Sequence, residues 1–172
     1  SHSYTEVLLK SYIHYGKNVV NHLNGIFAFA IWDTNNNEIF LARDHFGVKP
    51  LFYTKIDETL VFSSEIKALF QYPGVKKVLN EQSISELFGI GPAHTSGTTV
   101  FKNIYEIKPA HFGIFNKNGF NIKRYWKLKS EKHVDTFEET CEKLKFLLND
   151  AITRQLVSDM PLCTFLSGGL DS

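Results

Sequence analysis

The sequence is poor in the residues that mark several protein classes. Among its 172 residues there are two cysteines, one methionine and five prolines, and the formal net charge is only +1. A charge so near zero, without a long basic run, argues against a nucleic-acid surface. No apolar stretch approaches membrane-spanning length, which argues against a membrane protein. These absences favour a globular protein of the cytoplasm.

The scarce cysteines and the histidines show no metal-binding pattern. Cys141 and Cys163 have neither the spacing of a metal site nor that of a redox pair. We expect both to pack as small hydrophobic side chains in a reducing compartment. The seven histidines include no His-x-x-x-His pair, so no metal site is expected.

Aromatic residues, by contrast, are abundant. Fifteen Phe and seven Tyr favour a sheet-rich fold with a sizeable core. Apolar positions from 5 to 23 fit one or two helices interrupted near Gly16. The continuous apolar run at 26–32 then predicts a strand buried on both faces, followed by a polar turn at 33–37 and a second strand at 38–42.

Short strands and helices continue the pattern. The predicted elements are strands at 51–55, 60–63, 111–115 and 120–128, with helices at 65–70 and 80–89. Ser83 and Glu86 have the spacing of a capping box for the second of these helices. The segment 91–109 is loop-like, and an Asn-Gly turn at Asn118 and Gly119 joins the last two strands.

A change of composition near residue 130 predicts a second domain. The charged segment 129–135 is a candidate linker, after which Thr136 and Glu139 have capping-box spacing. The helix that follows has an apolar stripe made of Phe137, Cys141, Leu144, Leu148, Ile152 and Leu156. Pro161 marks the end of this helix, and the apolar run at 162–166 predicts a strand.

The closing hexapeptide, Ser-Gly-Gly-Leu-Asp-Ser at 167–172, predicts a phosphate-binding turn. Glycines let a backbone approach phosphate oxygens, and hydroxyls add donors. The carboxylate of Asp171 could hold the Mg²⁺ that accompanies a nucleotide. The alternative is a flexible polar tail, and the strand before the turn favours phosphate binding over it.

Two other polar segments allow a functional or a structural interpretation. Arg43 and Asp44 are candidates for positioning a ligand, but a solvated, self-paired turn fixed by Gly47 and Pro50 is the favoured interpretation. Residues 63–65 could bind an anion at a helix N-terminus or simply cap that helix.

The order of these segments resembles glutamine-hydrolysing asparagine synthetase of the bacterial B type. The motifs that carry the resemblance span the whole chain: Thr-Glu-Val-Leu-Leu at 5–9, Leu-Asn-Gly-Ile-Phe-Ala-Phe-Ala-Ile-Trp-Asp at 23–33, Leu-Ala-Arg-Asp-His-Phe-Gly-Val-Lys-Pro-Leu-Phe-Tyr at 41–53, Phe-Ser-Ser-Glu-Ile-Lys-Ala-Leu at 62–69, Arg-Tyr-Trp at 124–126 and the closing hexapeptide.

The resemblance implies an α+β chain of two parts. Residues 1–128 would be the C-terminal half of a glutamine amidotransferase (glutaminase) domain, a partial α/β/β/α sandwich of the N-terminal-nucleophile type. After the linker at 129–135, residues 136–172 would hold the first helix and strand of a pyrophosphatase-type, ATP-binding synthetase domain. The chain opens on Ser1 and closes within a motif, so we expect a fragment.

The family activity implied is hydrolysis of glutamine to ammonia, which then amidates aspartate through β-aspartyl-AMP to give asparagine, AMP and pyrophosphate. Glutamine, aspartate, ATP and Mg²⁺ are the expected substrates and metal, a homodimer is allowed, and the isolated fragment should be inactive. A related amidotransferase acting on another carboxylate and a non-catalytic binding module remain alternatives.

The family pattern also assigns site residues. The N-terminal Cys nucleophile has no counterpart in this chain. Tyr4 occupies the position of a glutamine-binding Asp, so glutamine recognition would be impaired. The implied ATP-binding residues are Phe165, Leu166, Ser167, Gly168, Gly169, Asp171 and Ser172.

Overall fold

A computed structural model of the chain describes residues 3–91, 95–158, 160–163 and 166–169. It contains two compact units, residues 1–128 and residues 129–172, and it mixes helices with antiparallel sheet. The first unit contains α1 (Tyr4–Tyr15), a 3-10 helix (Gly16–Asn21), β1 (Ala28–Asp33), β2 (Glu38–Arg43), β3 (Phe52–Ile56), β4 (Thr59–Ser63), α2 (Ile66–Leu69), α3 (Glu81–Ile90), β5 (Tyr105–Glu106), β6 (His111–Asn116) and β7 (Gly119–Arg124).

The helical start of the chain confirms the prediction of one or two helices interrupted near Gly16. Ser3 caps α1 by accepting a hydrogen bond from the Thr5 amide, 3.3 Å away. Gly16 ends the helix with a φ of 57°, a left-handed conformation that glycine adopts without strain. The apolar residues that follow, Val19 and Val20, are fully buried.

Two antiparallel sheets pack face to face in the first unit. The first has the strand order β1-β2-β6-β7 and the second β4-β3-β5. One face of the first sheet packs on the helices through Phe40 and Ala42, with Tyr12 among their neighbours. Its other face packs on the second sheet through Leu41, which meets Leu51 and other residues. The short helix α2 contacts β3 and β4.

The strand that is buried on both faces is β2, whereas the sequence predicted this burial for the run at 26–32. β2 carries Phe40, Leu41 and Ala42, all with no solvent exposure, because helices cover one of its faces and the second sheet covers the other. The strand predicted at 26–32 is present as β1, but its predicted burial on both faces was wrong, since β1 lies at the edge of its sheet. There Ala30 is exposed and Trp32 is 57% exposed.

The predicted hairpins are confirmed. β1 pairs with β2 through a turn after Asp33, β3 with β4 through Asp57, and β6 with β7 through a turn before Gly119. Asp57 has a φ of 51°, which a short polar residue tolerates in a tight turn. Local turn chemistry therefore determines these connections.

Within β6, Gly113 makes room for an aromatic ring on the neighbouring strand. Gly113 pairs with Ile122 of β7, and the ring of Phe120 lies across the glycine. A Cβ atom at position 113 would come within 2.5 Å of Cε2 of that ring. The close approach lets Phe120 contact Tyr53 of the second sheet, with ring centroids 4.9 Å apart.

Two local predictions in the segment after α2 were wrong. The cap of α3 is Asn80, whose side chain accepts from the Gln82 amide, while Ser83 lies inside the helix and is buried. The loop-like segment 91–109 contains the short strand β5. A two-residue strand has too little periodicity to be predicted, and Asn competes with Ser as an N-cap.

The second unit contains α4 (Phe137–Gln155), which confirms the predicted capping box. The Thr136 hydroxyl accepts from the Glu139 amide, and the Glu139 carboxylate accepts from the Thr136 amide. None of the residues of α4 is buried, so the predicted apolar stripe is exposed. The expectation that Cys141 and Cys163 pack as hydrophobic side chains was wrong, because both are exposed and no described residue covers them.

The predicted strand at 162–166 is not present in its described part. Leu162, Cys163 and Leu166 have no strand assignment, and residues 164–165 lie outside the described residues. None of the described helices is both long and apolar enough to cross a membrane.

Candidate functional site

Tyr4, the residue at the expected glutamine position, begins α1. Its side chain is 80% exposed, and its backbone lies just after the Ser3 cap. On the next helical turn Lys10 pairs with Glu6 at 2.6 Å. The structure thus presents Tyr4 at the surface of the first unit, on a helix end whose amides favour a negative charge.

A cleft of about 450 Å³ lies further along the same helix and was not predicted. It opens between α1 and the β1–β2 turn, where the Tyr12 hydroxyl donates to Asp33 at 3.0 Å. The other Asp33 oxygen accepts the amides of Asn35 and Asn36, each at 3.0 Å. Hydrogen bonds from Asn36 hold the pKa of Asp33 below its usual range. Burial, assisted by Asp33, raises the pKa of Tyr12, so the pair stays a fixed phenol and carboxylate.

Asp44 organises the loop that follows β2. Its carboxylate accepts three backbone amides, those of Phe46 at 3.1 Å, Val48 at 3.0 Å and Lys49 at 3.0 Å. Asp44 is only 1% exposed. Burial acts to raise the pKa of Asp44, but the amides from Lys49, Val48 and Phe46 outweigh it and the net pKa is lowered. The carboxylate is therefore a stable anion inside the loop.

Arg43 ties this loop to the second sheet. Its guanidinium donates to Glu106 at 2.9 Å and to the carbonyls of Ile107 at 2.6 Å, Lys49 at 2.8 Å and Gly47 at 2.9 Å. Both charged partners are 8% exposed as side chains. The predicted solvated, self-paired turn was wrong in two respects: Arg43 and Asp44 are buried, and the charged partner of Arg43 is Glu106, which lies outside the turn.

The sequence carried a signal for this arrangement. Gly47 has a φ of 69°, and a Cβ atom there would lie 2.8 Å from Cγ of Pro109. A glycine four residues after the end of a strand, followed by a proline, marks a turn that folds back on itself. The partner Glu106, which lies 63 residues away, has no such signal because the contact is made only in three dimensions.

The closing segment is described in part. Leu166, Ser167, Gly168 and Gly169 are exposed, and Gly168 has a φ of 79°. The Gly169 amide donates to the Ser167 hydroxyl at 3.4 Å. The other predicted ATP-binding residues, Phe165, Asp171 and Ser172, lie outside the described residues.

The remaining candidates contribute no site. Ser63 accepts from the amide of Glu65, the N-cap residue of α2, and no side chain caps this helix of four residues. Among the residues that the structure describes, no three His, Cys, Asp or Glu side chains gather in a way that could hold a metal ion. Tyr4 belongs to the first unit and the closing segment to the second.

Comparisons with known proteins place this framework in a family. The family model described as glutamine amidotransferase domain matches residues 1–126, and the one described as asparagine synthase matches residues 143–172. The chain is 56% identical to asparagine synthetase [glutamine-hydrolyzing] 3 of Bacillus subtilis, over 98% of this chain and 27% of that protein.

Other relatives carry different names. Asparagine synthetase [glutamine-hydrolyzing] 2 of Bacillus subtilis is 36% identical over 97% of the chain and 24% of its own length. The amidase chry2 of Gibberella zeae is 31% identical over 97% of the chain and 24% of its own length. The chain thus spans only about a quarter of the length of these curated relatives. The glutamine amidotransferase domain model matches residues 1–126, which is most of this chain. The chain therefore belongs to the glutamine amidotransferase domain family.

Proposed function

We propose that this chain is part of a glutamine-dependent asparagine synthetase, which hydrolyses glutamine and uses the ammonia and ATP to convert aspartate into asparagine. The observation that carries the proposal is the 56% identity to a glutamine-hydrolysing asparagine synthetase along 98% of the chain. The succession of the two family matches along the chain also supports it. In this proposal the first unit belongs to an α/β/β/α glutaminase sandwich and the second begins a synthetase domain.

The test is to extend the reading frame in both directions and to express the whole protein. We expect asparagine to form from aspartate and ATP, with release of AMP and pyrophosphate. A whole protein that lacks this activity with both glutamine and ammonium as nitrogen donors would refute the proposal.

Tyr4 should weaken the use of glutamine in that protein. A phenol is uncharged at neutral pH, so it cannot form the ion pair with the glutamine α-ammonium that the carboxylate of the family would form. A charge-assisted hydrogen bond contributes about 1.5–3 kcal/mol. The substitution Tyr4→Asp should therefore lower KM for glutamine by roughly 10- to 100-fold.

Ammonium serves as the internal control for this experiment. Because Tyr4 acts only on glutamine, asparagine formation from ammonium should be the same in both proteins. An equal KM for glutamine in the two proteins would remove Tyr4 from the glutamine site without affecting the proposed synthetase activity.

The closing segment is proposed to bind the pyrophosphate portion of ATP. The left-handed φ of Gly168 and the exposed backbone of Ser167 and Gly169 fit a turn that phosphate oxygens can approach. Residues 165–167 would bind ATP just before the turn. Asp171 would hold Mg²⁺, which neutralises phosphate charge when bound.

The variant Asp171→Asn in the whole protein tests this assignment. It should abolish aspartate-dependent release of pyrophosphate with either nitrogen donor and leave the hydrolysis of glutamine intact. Asp150, which pairs with Arg154 on exposed α4 at 2.7 Å, is the matched control, and Asp150→Asn should leave pyrophosphate release unchanged. Unchanged release in Asp171→Asn would show that another residue holds the metal.

The 172-residue chain itself is proposed to have neither activity, since no residue in it corresponds to the N-terminal Cys nucleophile. Purified chain incubated with glutamine should release no ammonia above a blank. Detectable hydrolysis would overturn this prediction. Cytoplasmic location and a homodimeric parent remain predictions.

A related amidotransferase that acts on another carboxylate is the second candidate. The relative named amidase chry2 favours keeping it, because that protein shares the same span of sequence under a different name. Offering the whole protein a panel of carboxylic acids separates the two, since preference for an acid other than aspartate would select the second. A non-catalytic binding module would use none of the acids.

A further inference from the structure

We propose that the hydrogen bond between Tyr12 and Asp33 positions the first turn of α1, and with it residue 4, in the glutamine site of the whole protein. This role rests on the proposed function, in which residue 4 lies in that site. The Tyr12 hydroxyl donates to Asp33 at 3.0 Å. Both are positioning residues, because they act through residue 4 and not by touching glutamine.

Tyr12 holds α1 on the first sheet. It is the only residue of that helix that is buried, and it is 7% exposed. Its ring packs on Phe40 of β2, with ring centroids 5.4 Å apart, and the partly buried Leu8 packs on the same cluster one turn earlier. No side chain of the first turn, residues 4–7, is buried. Within the described part of the chain, contacts further along the helix therefore place residue 4.

The hydroxyl of Tyr12 adds direction to this packing. A phenylalanine ring would fill nearly the same volume, and apolar contacts are non-directional. A hydrogen bond is strongest when donor, hydrogen and acceptor lie nearly in line, so it resists rotation of the helix about its own axis. The ring alone would keep α1 on the sheet, whereas the hydroxyl also fixes the orientation of residue 4.

The acceptor of this hydrogen bond is itself held in place. Asp33 is the last residue of β1, and one of its carboxylate oxygens accepts the amides of Asn35 and Asn36, each at 3.0 Å. The side chain of Asn36 donates to the other oxygen at 2.9 Å. Hydrogen bonds from Asn36 lower the pKa of Asp33, and burial raises the pKa of Tyr12. At neutral pH the acceptor is therefore an anion and the donor keeps its proton.

A second contact fixes the other end of the same helical segment. Lys17 in the 3-10 helix pairs with Glu38 at 2.6 Å, and Glu38 lies opposite Asp33 in the register of β1 and β2. Carboxylates directly opposite each other on neighbouring strands repel, so a donor to each of them stabilises the hairpin. The helical segment is thus anchored at one end of this hairpin, and the first turn of α1 is the part of the helix farthest from that anchor.

The geometry of a helix gives the size of the expected displacement. Because Cα atoms lie about 2.3 Å from the helix axis, a rotation of about 20° displaces the Cα atom of residue 4 by about 0.8 Å. A binding site tolerates displacements of about 0.5 Å. Loss of the hydroxyl should therefore misplace residue 4 enough to weaken an ion pair with glutamine.

A double-mutant cycle in the whole protein tests this role. Because the contact between Tyr12 and Asp33 is present although residue 4 is Tyr, Tyr4→Asp alone should lower KM for glutamine as described above. Adding Tyr12→Phe to Tyr4→Asp should raise that KM about three- to tenfold. With Tyr at position 4, Tyr12→Phe should change KM by less than about twofold, since an uncharged phenol forms no ion pair that a rotation could misplace.

Three controls separate positioning from a loss of folding. Asparagine formation from ammonium should be the same in all four proteins. Asp33→Ser breaks the contact from its other side but leaves a hydroxyl for the turn amides, so it should raise KM in the Tyr4→Asp protein as Tyr12→Phe does. Tyr53→Phe removes a half-buried phenol from the second sheet and should leave KM in the Tyr4→Asp protein unchanged.

Several results would overturn this role. An equal effect of Tyr12→Phe with Tyr and with Asp at position 4, or no effect in either protein, would leave the contact a structural role only. So would an equal loss with ammonium, an equal loss in Tyr53→Phe, or an unchanged KM in Asp33→Ser. An unchanged KM on Tyr4→Asp alone would remove residue 4 from the glutamine site. In each case continued asparagine formation from ammonium would show that the proposed function stands, whereas its absence with both nitrogen donors would refute that function.

Discussion

Replacing Arg43 by methionine should unfold the first unit at a much lower temperature. The substitution Arg43→Met keeps a long flexible side chain but removes four hydrogen bonds, which now run to Glu106 and to the carbonyls of Gly47, Lys49 and Ile107. The Glu106 carboxylate would stay buried and would lose its ion pair with Arg43. Breaking a buried ion pair on one side costs about 3–5 kcal/mol.

The size of the effect follows from the length of the unit. At about 2.1 cal/mol/K per residue, the 128 residues of the first unit unfold with an entropy near 0.27 kcal/mol/K. A loss of about 4 kcal/mol therefore lowers Tm by roughly 15 °C. Circular dichroism melts at low protein concentration measure the shift.

A surface ion pair provides the matched control. Lys55 lies 3.7 Å from Glu58, whose side chain is 92% exposed, so Lys55→Met should change the free energy of unfolding by less than about 0.5 kcal/mol. If Arg43→Met shifted Tm no more than Lys55→Met does, the Arg43 cluster would be a surface feature and the reasoning from burial would fail.

Other consequences of the same architecture can be measured. Gly47→Ala should destabilise the unit by about 1–3 kcal/mol in urea, because its Cβ would meet Pro109 at 2.8 Å; Gly89→Ala, in open space on α3, should be neutral or stabilising. The pKa of Asp44 is lowered in the folded state, so its stabilisation is complete above about pH 4, the ordinary pKa of Asp, and is lost as the pH falls further. Urea midpoints between about pH 4 and pH 2 should thus fall less steeply in Asp44→Asn than in the unchanged chain, and equal slopes would contradict this. The exposed edge of β1 should make the chain self-associate at high concentration, and Ala30→Lys should reduce this in light scattering, whereas a monomer at all concentrations would argue against it.

Local chemistry predicted the parts of the fold that depend on neighbouring residues. The capping box at Thr136 and Glu139, the break at Gly16 and the hairpin turns are each specified by a few adjacent residues, and each is present. Their energies come from hydrogen bonds within one turn of chain, which the sequence displays directly.

Predictions that depended on distant residues were wrong. Burial of β1 depends on how far the second sheet extends, and that distance is not encoded in the run at 26–32. Arg43 was predicted to be a surface charge because its partner Glu106 lies 63 residues away in the sequence. Cys141 shares a helical stripe with apolar residues, yet burial needs a covering element, and none of the described residues provides one.

The same difference between local and distant contacts applies to the candidate site. Tyr4 and the closing hexapeptide were assigned because they occupy positions in recognisable motifs, and both assignments stay predictions. The loop held by Asp44 was found as a motif and misjudged in its surroundings, since burial of a charge is a property of packing and not of spacing.

The ring of Phe120 lying over Gly113 has a consequence for how this sequence can vary. The space beneath the ring is shared between two positions on neighbouring strands, so neither position is free to change alone. A library that randomises residues 113 and 120 together and selects for folded protein should return glycine with an aromatic residue, or a larger residue at 113 with a small one at 120. Substitutions that persist in related sequences should therefore change positions 113 and 120 together.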